Sequence, residues 1–452
     1  MARAPKAGDR AAVRQFLADN PQIERIELLF PDMNGIFRGK WLPPSGASKL
    51  VTGGVRLPIS TYGLDIWGRD VDETGLAAGA GDPDGVGVPI PGTLKSVPWT
   101  NNTSAQVLMS LETVDREPCV YDPRQRLGAV VARFAELGLT PVVAAELEFY
   151  FVKPVRLEGA PPEPPEGAEV SQLYDLDTMD RLEPVLTDIR AACELLGVPV
   201  EGVTTEAGHG QFEINLRHLD DAVAAADAAI LFRRIVHGCA GVHELEATFM
   251  AKPYGDDAGS GMHVHASLVD AAGNNVFSAE DGVGETLRHA VGGALATMRE
   301  LQAIFAPHFN SYRRFLPGRQ APVSANWGID HRFAGIRVPE HQGPGARLEH
   351  RMAGADCNPY LAIAAILGGM LIGLERKLEP GQPLSEGSSE GRGEKLHHDW
   401  LTAVEEFAAS EAGAEIFGRQ YRRVYAACKR HEIKVLAGMV TDVEYRTYLT
   451  RI

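Results

Sequence analysis

The chain lacks the common signatures of nucleotide, redox and acyl-transfer enzymes. It has no G-x-x-x-x-G-K-[ST] P-loop, no G-x-G-x-x-G after a strand and no G-x-S-x-G nucleophile elbow. Walker-type NTPases, dinucleotide-binding dehydrogenases and serine hydrolases are thereby excluded. Sulfur is scarce: Cys119, Cys193, Cys239, Cys357 and Cys428 are odd in number, widely scattered and without a C-x-x-C pair. They read as buried thiols of a reducing compartment rather than a disulfide framework. Positive charge is in deficit, with a net charge of −16, and without a basic patch this disfavours nucleic acid or an anionic membrane as partner. No run approaches the unbroken apolar length of a membrane-spanning helix, and Met1 to Asn20 lacks the apolar core of a signal peptide. A cytoplasmic enzyme is expected.

What is present is an ordinary globular composition, 44% hydrophobic and 23% charged over 452 residues, enough for two or three domains. A helix over 9–20 precedes a strand over 23–30, a turn over 31–35 and a second hairpin strand over 36–41. The stretch 50–102 is rich in Gly, Pro and Asp. Together these predict a small β-rich domain over 1–104, with a strand over 105–111 opening a larger domain, 105–452. There, helices after Asp122-Pro123, from Asp177 or Thr178 to Gly197, over 219–239, 284–305 and 359–378 alternate with strands. The fold class is α+β, with an antiparallel-type sheet and peripheral helices.

Three strand-like runs carry charges in an unusual place. In Val142–Val152, Glu146 and Glu148 share one strand face while Leu147 points the other way. Taken alone, this run reads more readily as an edge strand with its glutamates facing solvent. The alternation recurs in 259–267, where His263 and His265 share a face, and in 347–351, where Arg347, Glu349 and Arg351 do. A sheet does not bury ionisable groups on three strands unless it lines a polar cavity. Glu206 and Glu213 flank a Gly208/Gly210 turn that can bring them to the same place. Oxygen-rich ligands with an occasional imidazole and no cysteine suit Mg²⁺ or Mn²⁺ rather than structural zinc. Arg314, Arg332, Arg337, Arg347 and Arg351 supply bidentate positive charge for phosphate and carboxylate groups. The chemistry that fits is phosphoryl transfer by charge neutralisation.

Five motifs then occur in order: Glu-Leu-Glu-Phe-Tyr (146–150), Glu-Ala-Gly-His-Gly-Gln-Phe-Glu (206–213), Gly-Ser-Gly-Met-His-Val-His (259–265), Asn-Ser-Tyr-Arg-Arg-Phe-x-Pro-Gly (310–318) and Arg-Leu-Glu-His-Arg (347–351). With them the chain resembles the glutamine synthetase superfamily over nearly its whole length. The stretches 32–40, 247–254 and 353–360 look most like its γ-glutamylputrescine synthetase branch. The resemblance implies an N-terminal β-grasp domain, a catalytic domain with a curved funnel-like sheet, and two stacked hexameric rings with sites between neighbouring subunits. It implies two Mg²⁺ (or Mn²⁺) per site, one held by Glu148, Glu206 and Glu213, the other by Glu146, His263 and Glu349. ATP would meet Glu201, His265, Ser267, Arg332 and Arg337, with Arg347 near the phosphates. Glutamate would meet Gly259, Arg314 and Arg351.

Two departures from that pattern bear on the second substrate. Ammonia-using members carry a flap glutamate where this chain has Gln320, and an N-terminal aspartate where it has Pro58. Losing both acids removes the charge that captures ammonium and strips its proton. The expectation is therefore an ATP-dependent glutamate–amine ligase that acts through γ-glutamyl phosphate, with Arg332 and Gln320 at the catalytic centre. Putrescine or another polyamine is the first choice of amine, a monoamine such as an alkylamine or ethanolamine the second. Tyr62, Arg319 and Trp327 are candidates for the amine pocket, with ordinary loop packing as the favoured reading of all three. A true glutamine synthetase and an inactive structural member of the fold are the rivals.

Overall fold

The computed structural model describes residues 7–77, 79, 81–154, 160–170, 172–315, 321–385 and 393–452. Its first sheet is built from β1 (Arg25–Pro31), β2 (Phe37–Leu42), β3 (Arg56–Pro58), β4 (Asp84–Pro89), β5 (Lys95–Ser96) and β6 (Ser104–Glu112). The order is β2-β1-β6-β4-β3, with β5 also on β6. β1 and β6 run parallel, whereas β1 and β2 form the expected hairpin. All nine residues of β6 are buried, because it is the central strand and is covered on both faces. Ile26, Leu28, Phe30, Val107, Met109 and Leu111 form a core separate from that of the rest of the chain. The division expected at 104/105 therefore falls at the start of a strand that completes the first sheet. We place it after Glu112.

The second sheet contains β7 (Thr140–Val152), β8 (Val200–Thr205), β9 (Gln211–Leu216), β10 (Glu246–Thr248) and β11 (Met262–Val269). After a short strand β12 (Ser324–Ala325), which pairs with β16 (Glu394–Lys395), come β13 (Trp327–Ile329), β14 (Ile336–Glu340) and β15 (Arg347–His350). The order is β13-β14-β15-β11-β7-β9-β8, with β10 also on β7. Only the β13–β14 pair is parallel. Mixed helices around two such sheets match the α+β expectation.

Helices close the rear of this sheet. Phe149 lies 5.2 Å from Phe151, 6.0 Å from Phe232 on helix Ala222–Val242 and 5.4 Å from Phe249, ring centre to ring centre. Leu147, Met262, Val264 and Leu348 join the same core. Helix Pro359–Arg376 is long and apolar enough to cross a membrane by composition, contrary to expectation, yet 83% of it is buried inside the protein. It packs tightly on helix Glu285–Met298: a Cβ on Gly293 would sit 2.2 Å from the Gly369 carbonyl, so only glycine permits this approach. The helix expected from Asp177 or Thr178 is two helices, Leu176–Arg181 capped by Asp175 and Glu183–Leu196. Pro184 starts the second one, having no N–H to give to the first.

Polar contacts dock the first sheet on the larger unit. Asn358 donates to the Asp32 carbonyl, and the fully buried Lys429 reaches Asn34 and, at 3.0 Å, Glu432. Glu432 in turn accepts the Ile66 N–H. All five cysteines are free and buried, as expected. Phe149→Ala empties the centre of the aromatic cluster. It should lower the free energy of unfolding by about 3–5 kcal/mol, read as a fall in the denaturant midpoint, and Phe149→Leu should cost much less.

Candidate active site

Strand register assembles the charged face. Glu146 on β7 lies opposite His263 on β11 and Asn215 on β9. One step along, Glu148 lies opposite Glu213. His265 faces Glu349 on β15, which faces Arg337 on β14. Residues on one face of neighbouring strands stand about 5 Å apart, so three rows of ionisable groups become a continuous polar surface. The same alternation turns Leu147, Phe149 and Val264 into the aromatic and aliphatic core behind it.

Two subsets have ligand atoms within 4.8 Å of one another: Glu146, His263 and Glu349, and Glu148, Glu213 and His263. The first is the triad expected for one metal. The second contains two of the three glutamates expected for the other, with His263 between the pairs. Glu206 lines the same cavity as Glu148 but stands outside that subset. Five carboxylates and one imidazole are a donor set for a hard divalent cation.

The electrostatics show what the surface lacks without a cation. Burial pushes Glu206 up to about 7 and Glu213 up to about 8, with Glu148 and Glu146 among the neighbours that add repulsion. Burial also opposes ionisation of Glu146, but hydrogen bonds from His263 at 3.4 Å and His265 at 2.9 Å outweigh it and hold that carboxyl low. Glu349 is likewise held low against burial, by the charges of His263 and Arg351. Arg337 binds Glu349 at 2.9 Å and Arg351 pairs with its other oxygen. Arg347 Nε is 3.2 Å from His265 Nδ1. Since Arg347 can only donate, His265 accepts at Nδ1 and donates from Nε2 to Glu146. Ser267 follows two residues along the same strand, and both it and His265 are buried.

The turn 206–211 completes one wall. A Cβ on Gly208 would lie 1.9 Å from Tyr150 Oη, and Gly210 has φ +77°, so the turn needs both glycines. Tyr150 itself donates to the Ala258 carbonyl at 2.8 Å. Gln211 donates to Gly259 O at 3.1 Å, and the Gly261 N–H donates to Glu148 at 2.7 Å. Behind these contacts lies a cavity of about 300 Å³, lined by Glu148, Glu206, Asp257, Gly259, Arg314 and Arg351 among others. Arg314 and Arg351 are both buried, and Arg351 Nε has no partner among the described residues. Such an orphaned guanidinium donor fits an anionic ligand.

Not every expected residue joins the cavity. Glu201, on β8, lines a separate cavity of about 260 Å³ with Asp180, Glu183 and Arg190. Arg332 is exposed, yet its charge acts on Glu206. Gln320 and Arg319 lie outside the described residues. Tyr62 is buried in the core of the first sheet, and Trp327 is buried with its indole N–H on Gly381 O at 3.1 Å. Both are packing residues, not lining of this cavity. Asn215, which donates to Glu213 at 3.0 Å, was missed although it continues the Glu213 alternation. Asp257 and Lys252 line the cavity from an irregular loop that carries no periodic signal.

Comparison with known proteins agrees with this geometry. Residues 120–448 match the family model "Glutamine synthetase, catalytic domain". The chain is 36% identical over 439 residues to γ-glutamylputrescine synthetase PuuA of Escherichia coli (strain K12), covering 96% of this chain and 93% of that one. It is 34% identical over 374 residues to a glutamine synthetase of Thermotoga maritima, covering 80% and 84%. A solved structure described as a GmaS/ADP complex superposes with a TM-score of 0.84 at 28% identity, covering 97% and 99%. The chain belongs to the glutamine synthetase family.

Proposed function

We propose that the protein is an ATP-dependent ligase that joins the γ-carboxylate of glutamate to a primary amine. The observation that carries the reading is one cavity in which a carboxylate–histidine ladder meets two buried arginines. The 36% identity to a γ-glutamylputrescine synthetase supports putrescine or another polyamine as the amine, with a monoamine as second choice. Two Mg²⁺ or Mn²⁺ would be held, one by Glu146, His263 and Glu349, the other by Glu148, Glu213 and Glu206. When bound, they neutralise phosphate charge and polarise the transferred group.

The chain's own residues do the rest. Arg314, Arg351 and the Gly259 backbone hold glutamate by its carboxylates and aim its γ-carboxylate at the phosphates. Arg337, Arg347 and His265 are a rigid, hydrogen-bonded rim on the phosphate side, with Ser267 beyond them and Arg332 countering charge on the moving phosphoryl group. Glu201 stays assigned to ATP only if the nucleotide extends across β8. The γ-carboxylate oxygen attacks the γ-phosphorus and ADP leaves. The amine nitrogen then attacks the acyl carbon and phosphate leaves. Gln320, where a carboxylate would favour ammonium, fits a larger amine. We assign the protein to the cytoplasm as a homo-oligomer of two stacked hexameric rings.

Phosphate release from ATP and glutamate, measured with ammonia, putrescine, spermidine, ethanolamine and alkylamines, tests the reading. Turnover should be highest with an organic amine; ammonia equal to the best amine would make the protein a glutamine synthetase instead. Glu206→Ala should abolish turnover and leave the assembly's size unchanged by light scattering.

The raised carboxyls add a test of metal binding. Glutamate ionises near 4.5 in the unfolded chain, so the stability that Glu206 and Glu213 contribute without metal is complete below that pH. It is lost as pH rises through about 7 and about 8. A bound cation favours the ionised forms. The rise in Tm on adding Mg²⁺ should therefore be larger at pH 8 than at pH 6, and an equal or smaller rise at pH 8 would count against these ligands.

A further inference from the structure

A histidine–aspartate pair at the edge of the cavity has no part in the scheme above. His209 is the middle residue of the Gly208-His209-Gly210 turn, between Glu206 and Gln211. Its Nδ1 is 2.6 Å from Asp257 Oδ2, and its backbone N–H donates to that same oxygen at 2.9 Å. The other oxygen of Asp257 accepts the Ala258 N–H at 2.8 Å. The carboxylate is thus clamped between the turn and the segment that continues into Gly259. Asp257 and Ala207 both line the cavity, and His209 adjoins it, bonded to the one and two residues along the turn from the other. The ring remains partly exposed.

We propose that His209 is the base that takes the proton from the incoming amine, with Asp257 as the residue that positions and polarises it. The proposal rests on the ligase reading. A carboxylate at Nδ1 fixes the tautomer with hydrogen on Nδ1 and leaves Nε2 as the lone-pair nitrogen. Among the described residues Nε2 has no hydrogen-bond partner. Aliphatic amines are cations at neutral pH and cannot attack a carbonyl until one proton is lost. The balance is direct. The alkylammonium gives one proton to His209 Nε2, its nitrogen forms the C–N bond as the C–O bond to phosphate breaks, and its second proton leaves with the phosphate. Three of the other four acids of the cavity are less suited. Glu148 and Glu206 belong to the proposed metal set, and Asp257 is already saturated by hydrogen bonds. Asp257 is bonded to the ring, and the other charged groups lining the adjacent cavity are Asp256, Lys252, Glu206, Glu148, Arg314 and Arg351.

Hydroxylamine separates a base from a merely structural residue, because it is already neutral at pH 7 and needs no proton removed. The wild-type enzyme, metal-loaded, is compared with His209→Gln and Asp257→Asn, using the best amine of the panel and hydroxylamine. His209→Gln should lower kcat/KM for the amine about 100-fold, the usual scale of such catalysis, and leave γ-glutamyl hydroxamate formation within a few-fold. The amine loss should shrink at higher pH, where free amine is plentiful. Asp257→Asn should shift the acidic limb of the amine pH profile and spare hydroxamate formation. Equal loss with both nucleophiles, or no loss with either, overturns the proposal. An enzyme that forms hydroxamate but accepts no organic amine overturns the ligase reading itself, independently of His209.

Discussion

The structure depends on one constraint: in a β-strand, neighbouring side chains must point to opposite faces. Strand β7 uses it to place Glu146 and Glu148 on one side and Leu147 and Phe149 on the other. Because β7 sits between β11 and β9, each glutamate acquires its partners by register alone, His263 and Asn215 for one, Glu213 for the other. A slip of one residue would send the carboxylates into the phenylalanine cluster and the aromatic rings into the cavity. The cost of either error is far larger than the stability of a domain tolerates. The rear core and the polar face are therefore one feature, and the core's packing specifies the site's geometry.

Charge balance divides the face in two. On the side of β14 and β15, Glu349 is compensated by Arg337 and Arg351, and Glu146 by two histidines, so these carboxyls remain ionised despite burial. On the side of β9 and the 206–211 turn no cation is ion-paired with Glu206 or Glu213 among the described residues, and burial pushes both up despite the more distant charge of Arg332 on Glu206. That asymmetry has a plain chemical meaning. One half of the ladder is a finished salt-bridge network, and the other half is an arrangement of acids that only an external cation stabilises.

Period-two patterning made most of the ladder legible, since β7, β11 and β15 each show it within a few residues. Glu213 and Asn215 show it as well, although only the glutamate was read. The register between strands was not legible, because spacing within a strand says nothing about which residue lies opposite. The domain boundary was misplaced for a related reason. β6 reads as a strand, but whether it pairs forward or backward depends on β1 and β4, far away in the sequence. Asp257, Lys252 and His209 were given no role, although His209 lies inside the 206–213 motif and Lys252 inside the 247–254 stretch, because loop residues carry no periodicity. Tyr62 and Trp327 take the packing reading favoured for them, although in the sequence an aromatic residue near a turn looks the same whether it lines a pocket or fills a core.

This division between strands and loops also assigns chemistry to place. Groups proposed to manage phosphate and metal sit on a hydrogen-bonded sheet, where a displacement at one position would break the ladder for its neighbours. The pair beside the cavity, His209 and Asp257, sits on a glycine-bounded turn and a loop clamped through three hydrogen bonds to one carboxylate. Substituting them disturbs no register and no core. A family that keeps one phosphoryl-transfer reaction and changes its nitrogen nucleophile needs such an arrangement. The fixed step is built on elements that cannot move, and the variable step on backbone that tolerates new side chains.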